Sequence, residues 1–119
     1  MSITGSGLYG LSLEKALIDT LGESWEAEDN RVLMVTDTYT PDFNAHDFYA
    51  DITNEVTGTG YTAGGELLTT TEITLSGGVL TFDAADVAWT TSTIANAMAG
   101  VLKTTVSGSA TDQLILLSD

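Results

Sequence analysis

The sequence predicts a mainly β domain, sandwich-like and antiparallel, with one N-terminal α-helix: a small α+β fold. Three observations predict it. Threonine, a strand former and a poor helix former, is abundant and occurs in runs such as Thr69-Thr70-Thr71. The second half of the chain is built of short apolar runs bounded by turn residues, the pattern of strands. Between the halves lies NEVTGTGYTAGGELL (54–68), where Gly58, Gly60, Gly64 and Gly65 surround Tyr61. Glycine reaches positive φ without a Cβ clash, so this cluster marks a tightly turned joint between an N-terminal layer and a C-terminal run of strands.

Residues 1–11 are rich in Gly and Ser and read as an extended arm ahead of a single domain over 12–119. The arm is either a frayed terminus or a segment that orders on a neighbouring subunit, with Ile3, Leu8 and Tyr9 as anchors. Residues 12–21 read as the helix. Ser12 can N-cap it, and Glu14 lies in the first turn, where the helix dipole favours an anion. Leu13, Ala16, Leu17 and Leu21 form one apolar stripe, and Gly22 stops the helix. So short a helix needs a partner, most simply one face of a sheet.

RVLMVT (31–36) is a buried strand by its length and its valines. DTYTPDFNAHDFYAD (37–51) is a long loop with room for one helical turn. ELLTTTEITL (66–75) and VLTFD (79–83) flank Ser76-Gly77-Gly78, a hairpin signal in which Gly77 and Gly78 supply the tight turn. Residues 97–106 are taken as a strand, although IANAMAGVL also admits a helix. QLILL (113–117) closes the fold as a buried strand.

The chain has 119 residues and no cysteine, so it is one domain held without disulfides or thiolate metal sites. No apolar run is long enough to span a bilayer, and the N-terminus lacks the basic and apolar regions of a signal peptide. Assembly in a cytoplasm is expected. Seventeen carboxylates stand against three cations, Lys15, Arg31 and Lys103, giving a net charge of −14. That charge argues against direct contact with nucleic acid or anionic membrane. It serves either solubility or a partner with a basic surface.

Little in the sequence points to bond-making chemistry. The single histidine, His46, has neither a nucleophile elbow nor a second nitrogen ligand to work with, and it reads as a loop residue. A glycosidase-like carboxylate pair needs a cleft for which so small a domain has little room. Asp37, Asp42, Asp47 and Asp51 have the oxygen chemistry of a Ca²⁺ site, but their spacing is not that of an EF-hand. GTGYTAGG lacks the lysine of a phosphate loop. No catalytic residue, metal or cofactor is assigned. Trp25 and Trp89 read as packing residues, with a sugar platform as the alternative.

The order of features carries a resemblance. The segment LYGLSLEKALIDTLGESWEAEDNRVLMVTDTYTPDFNAHDF is followed by EVTGTGYTAGG, then by DAADVAWT, and finally by LILL. From Leu8 onward this resembles a family of small structural proteins of tailed bacteriophages, described as head decoration, cement or head-fibre proteins. The resemblance implies a non-enzymatic virion protein on the capsid exterior that binds major capsid protein and reinforces the shell. It also implies a homotrimer or another symmetric cluster. In that setting the arm and the Gly58–Gly65 loop are expected to contact capsid or a sister subunit. Tyr61 is then either an anchor or a residue packed over the helix. The alternatives are a head–tail junction or tail component, and a small carbohydrate-binding β module.

Overall fold

The structure is a computed structural model that describes residues 3–18, 25, 29–105, 108 and 110–119. Its centre is one five-stranded antiparallel sheet. In chain order the elements are β1 (Gly7–Leu8), α1 (Gly10–Leu17), β2 (Arg31–Thr36), a single 3₁₀ turn (Tyr49–Asp51), β3 (Gly58–Thr59), β4 (Glu66–Leu67), β5 (Glu72–Ser76), β6 (Val79–Asp83), β7 (Thr93–Ile94), β8 (Ala97–Lys103) and β9 (Leu114–Ser118). The main sheet runs β1-β9-β8-β2-β4; β3 with β7 and β5 with β6 form two separate two-stranded ribbons. The expected antiparallel fold with one helix is the one observed. The second layer of the expected sandwich consists of ribbons and loops instead of a second full sheet.

Alternation along the central strands gives the main sheet two buried faces. Leu33 and Val35 of β2 and Ala99 and Val101 of β8 join Ile3, Tyr9, Tyr39, Leu114 and Leu117 in one cluster. The loop after β2 covers this face with Phe43, Tyr49 and Ile52. On the opposite side Leu68, Leu102 and Ile115 meet Trp25, Val32, Phe82, Ala84 and Val87. The β5–β6 ribbon therefore contributes Phe82 to the second core and projects its turn away from it.

Several expectations need correction. Residues 3–11 are not a free arm. Gly7 and Leu8 pair with Leu117 and Leu116 as the edge strand of the main sheet. Ile3 and Tyr9 are fully buried in the chain's own core, while Leu8 stays exposed. The helix starts at Gly10, two residues before Ser12, with Tyr9 at its cap position. Ser12 is buried inside the helix, and its hydroxyl donates to the Leu114 carbonyl of β9. The shift has a physical reason: the hydroxyl secures the helix to the sheet instead of closing the helix end. The stripe predicted from Leu13 to Leu17 is not the buried face, since Leu17 is 78% exposed. Leu21 and Gly22 lie outside the described residues.

The run 66–75 is two strands in two different sheets. Thr70 adopts a positive φ of 54°, which no extended strand tolerates, and the chain turns there from β4 to β5. The hairpin expected at Ser76-Gly77-Gly78 is present, with Gly77 and Gly78 both at positive φ (58° and 80°) and Ser76 paired with Val79. Strands are also observed over most of 31–36, 79–83, 97–106 and 113–117.

Candidate functional site

The glycine-rich joint is organised by a carboxylate, Glu55. Glu55 bridges to Val35 at the end of β2. Its Oε1 accepts from the Tyr61 hydroxyl at 2.6 Å and from the Gly64 N–H at 2.7 Å. Its Oε2 accepts from the Tyr49 hydroxyl. Tyr61 in turn accepts from the Met34 N–H at 3.1 Å, and its ring stacks on Trp89 with centroids 6.0 Å apart. Burial and the hydrogen bond to Glu55 raise the phenol pKa of both Tyr49 and Tyr61 well above the ordinary value. Deprotonating either would set a second anion beside Glu55 and remove the donor that holds it.

The glycines surround this centre for different reasons. A Cβ on Gly65 would lie 1.9 Å from the Val32 carbonyl oxygen, and its φ is +81°. A Cβ on Gly58 would lie 2.2 Å from the Thr93 carbonyl oxygen, because β3 and β7 pair there. A Cβ on Gly60 would crowd Ser92, whereas Gly64 has open space and serves through its N–H. The loop is thus fixed against β2 and β7. Of the two expectations for Tyr61, packing over the helix is corrected, because its ring stacks on Trp89.

The aspartate-rich loop is held in the same internal way. Asp42 accepts from the N–H groups of Asn44 and Ala45 at 3.0 and 3.1 Å. Asp51 accepts from those of Asp47 and Phe48 at 2.8 and 2.9 Å, and these bonds lower its pKa. Asp47 pairs with Lys15, whose ammonium also lies 4.6 Å from the Phe48 ring centroid. Among the described residues no group of three acidic or histidine side chains is disposed to hold a metal ion. Asp37, Asp42, Asp47 and Asp51 do not converge on one point.

His46 Nδ1 lies 2.9 Å from the Tyr39 hydroxyl, which lies 3.0 Å from the Tyr9 hydroxyl. This chain leads inward to a fully buried phenol and, among the described residues, meets no serine nucleophile. A second buried polar group was not anticipated from sequence. Lys103, at the end of β8, pairs with Asp112 at 2.8 Å, with side-chain exposures of 3% and 7%. Its ammonium also sits 5.0 Å from the Tyr49 ring centroid. Trp25 packs in the second core cluster and Trp89 against Tyr61, so both serve packing.

The organising role of Glu55 was also missed. Tyr49 and Tyr61 flank it at equal separations of six residues, but that spacing belongs to neither a helix nor a strand, so no periodicity exposes it. The remaining distinctive surface is apolar: Leu75, Val79 and Leu80 at the β5–β6 turn, and Leu17 and Ile18 at the end of α1, are each more than 60% exposed or at that level.

Comparison with the models of known protein families, with curated proteins and with solved structures gives no match to this chain.

Proposed function

We propose that this chain is a non-enzymatic structural protein of a phage virion, one that binds major capsid protein on the head exterior and reinforces the shell. The observation that supports this reading best is the use made of its reactive side chains. Glu55, His46, Lys15, Asp47, Lys103 and Asp112 all take part in internal contacts, which tie loops to the sheet, to the helix or to themselves. A binding protein that must keep its shape on a lattice benefits from such internal fixing, because rigid surfaces lose less entropy on docking.

The charge supports the same reading. At −14 the free chain stays soluble and separate, and many modest contacts then add through repetition once a lattice is present. Both lysines are engaged in internal ion pairs, and Arg31 donates to the Gly65 carbonyl at 3.0 Å. Copies therefore repel one another in solution. A trimer or other symmetric cluster is accordingly proposed to form on the lattice, following its symmetry.

The test is to add the purified chain to shells assembled from major capsid protein without it. Saturable co-sedimentation with the shells and a higher disruption temperature are expected. A chain that neither sediments with shells nor changes their resistance overturns the proposal. Binding confined to the neck of complete particles would instead assign it to the head–tail junction.

A further inference from the structure

Lys103 ends β8, and Asp112 lies just before β9. Lys103 is paired with Leu114 across the ladder, so Asp112 is its diagonal neighbour, two residues before Leu114. A long side chain reaches across that diagonal. Nζ of Lys103 accordingly lies 2.8 Å from Oδ2 of Asp112, with side-chain exposures of only 3% and 7%. The other carboxylate oxygen, Oδ1, accepts from the Gly108 N–H at 3.2 Å. The segment 48–49 closes over the pair. Phe48 bridges to Gln113, the Tyr49 N–H donates to the Asp112 carbonyl at 2.8 Å, and the Tyr49 ring lies over the ammonium.

An amine and a carboxyl group held in contact are the reactants of an amide bond. In water they persist as separate ions, because hydration favours both charges. Burial removes that hydration, and the attraction between the ions only partly compensates for the loss. Conversion to a neutral amide takes both charges out of the interior. Fixed contact also turns a bimolecular encounter into an intramolecular step, which raises its rate by orders of magnitude. Lys15 and Asp47 provide the contrast within the same chain. Their side chains keep 27% and 15% exposure, so water reaches that pair and it stays ionic.

We infer that Lys103 and Asp112 join in a self-formed amide bond, Nζ to Cγ, that staples the end of β8 to the chain entering β9. A proton passes from the ammonium to Oδ2 along their hydrogen bond. The Nζ lone pair then attacks Cγ, and negative charge develops on Oδ1, where the Gly108 N–H donates to it. A second lysine proton moves to Oδ2, the Cγ–Oδ2 bond breaks, and one water molecule leaves. The lysine supplies both protons that the leaving oxygen needs. One cation and one anion disappear together, so the net charge stays at −14. The bond needs no capsid partner and stands or falls apart from the capsid-binding reading.

The test uses the purified full chain. Trypsin has three sites in it, Lys15, Arg31 and Lys103. Amide formation removes the third, because the joined lysine no longer carries the charge that the protease reads. The protein is incubated folded at neutral pH for several days, then unfolded, and its intact mass and tryptic peptides are measured. The intact chain is expected to be lighter by one water molecule. Residues 32–119 should be recovered as one peptide, with normal cleavage after Lys15. Fragmentation of that peptide should show Lys103 joined to Asp112. Lys103→Arg keeps a cation beside Asp112 but should retain full mass and be cut at position 103.

Full mass in the wild type, with separate peptides 32–103 and 104–119, overturns the inference and makes the pair a permanent salt bridge. Water lost from 104–119 alone, with cleavage after Lys103 intact, marks a cyclic imide at an aspartate and overturns it equally. The wild-type masses decide the matter even where Lys103→Arg does not fold.

Discussion

Tyr61 donates its phenol hydrogen to Glu55 across 2.6 Å, and the same carboxylate oxygen receives the Gly64 N–H at 2.7 Å. One acidic side chain thus closes the glycine loop onto the ring that covers it, while Tyr49 brings in the 3₁₀ turn from the other side. Replacing it should release all three donors. Glu55→Ala is expected to cost about 2–3 kcal/mol. That corresponds to a melting temperature lower by about 10 °C, measured by circular dichroism. Tyr61→Phe, which keeps the stack on Trp89, should cost less than Tyr61→Ala.

Two glycines at positive φ should respond differently to alanine. Gly77 faces open space, so Gly77→Ala meets only the backbone penalty of about 1 kcal/mol. Gly65→Ala would press a methyl carbon against the Val32 carbonyl, and the backbone of β2 or β4 must move. A loss above about 4 kcal/mol, or failure to fold, is expected at Gly65. Urea titration of the two variants side by side checks the contrast.

Alkaline pH should unfold the protein through its tyrosines. Tyr9, Tyr39, Tyr49 and Tyr61 are the four tyrosines of the chain, and burial is the first cause raising the pKa of each above its ordinary 10.0. Above pH 10 the unfolded chain releases phenolic protons that the folded chain retains. Stability from this source is complete below pH 10 and declines as pH rises past it. Titration followed by tyrosinate absorbance should show ionisation coinciding with loss of the folded circular dichroism signal.

The Lys103–Asp112 pair should matter most when half of it is removed. Lys103→Met leaves Asp112 with an uncompensated buried charge, at an expected cost of about 3–5 kcal/mol. Lys103→Met/Asp112→Asn should recover part of that loss, because the charge goes with its partner. Denaturant unfolding of the single and double variants measures the difference.

What the sequence shows is its local patterning. RVLMVT, VLTFD and QLILL are short apolar runs with turn residues at their ends, and each maps onto a strand. Gly77-Gly78 states its turn type directly. Less legible were features decided by partners far along the chain. Ser12 looks like a cap until β9 passes beside it and takes its hydroxyl, 102 residues away. Ile3 and Tyr9 resemble arm residues until β1 pairs with β9 and turns them inward. Lys103 is only one of three cations in the sequence, and its pairing with Asp112 exists only once the chain between β8 and β9 has folded back. Thr70 gives no local sign of the positive φ that splits one threonine-rich run into two strands.

The central claim is that this acidic fold works as a many-copy component of a phage head. It is tested most directly by counting the chain in purified mature particles, by quantitative mass spectrometry and a map of the particle. The account predicts density for the chain repeated over the head surface. Complete absence from mature particles, or turnover of a substrate by the purified chain, would contradict it.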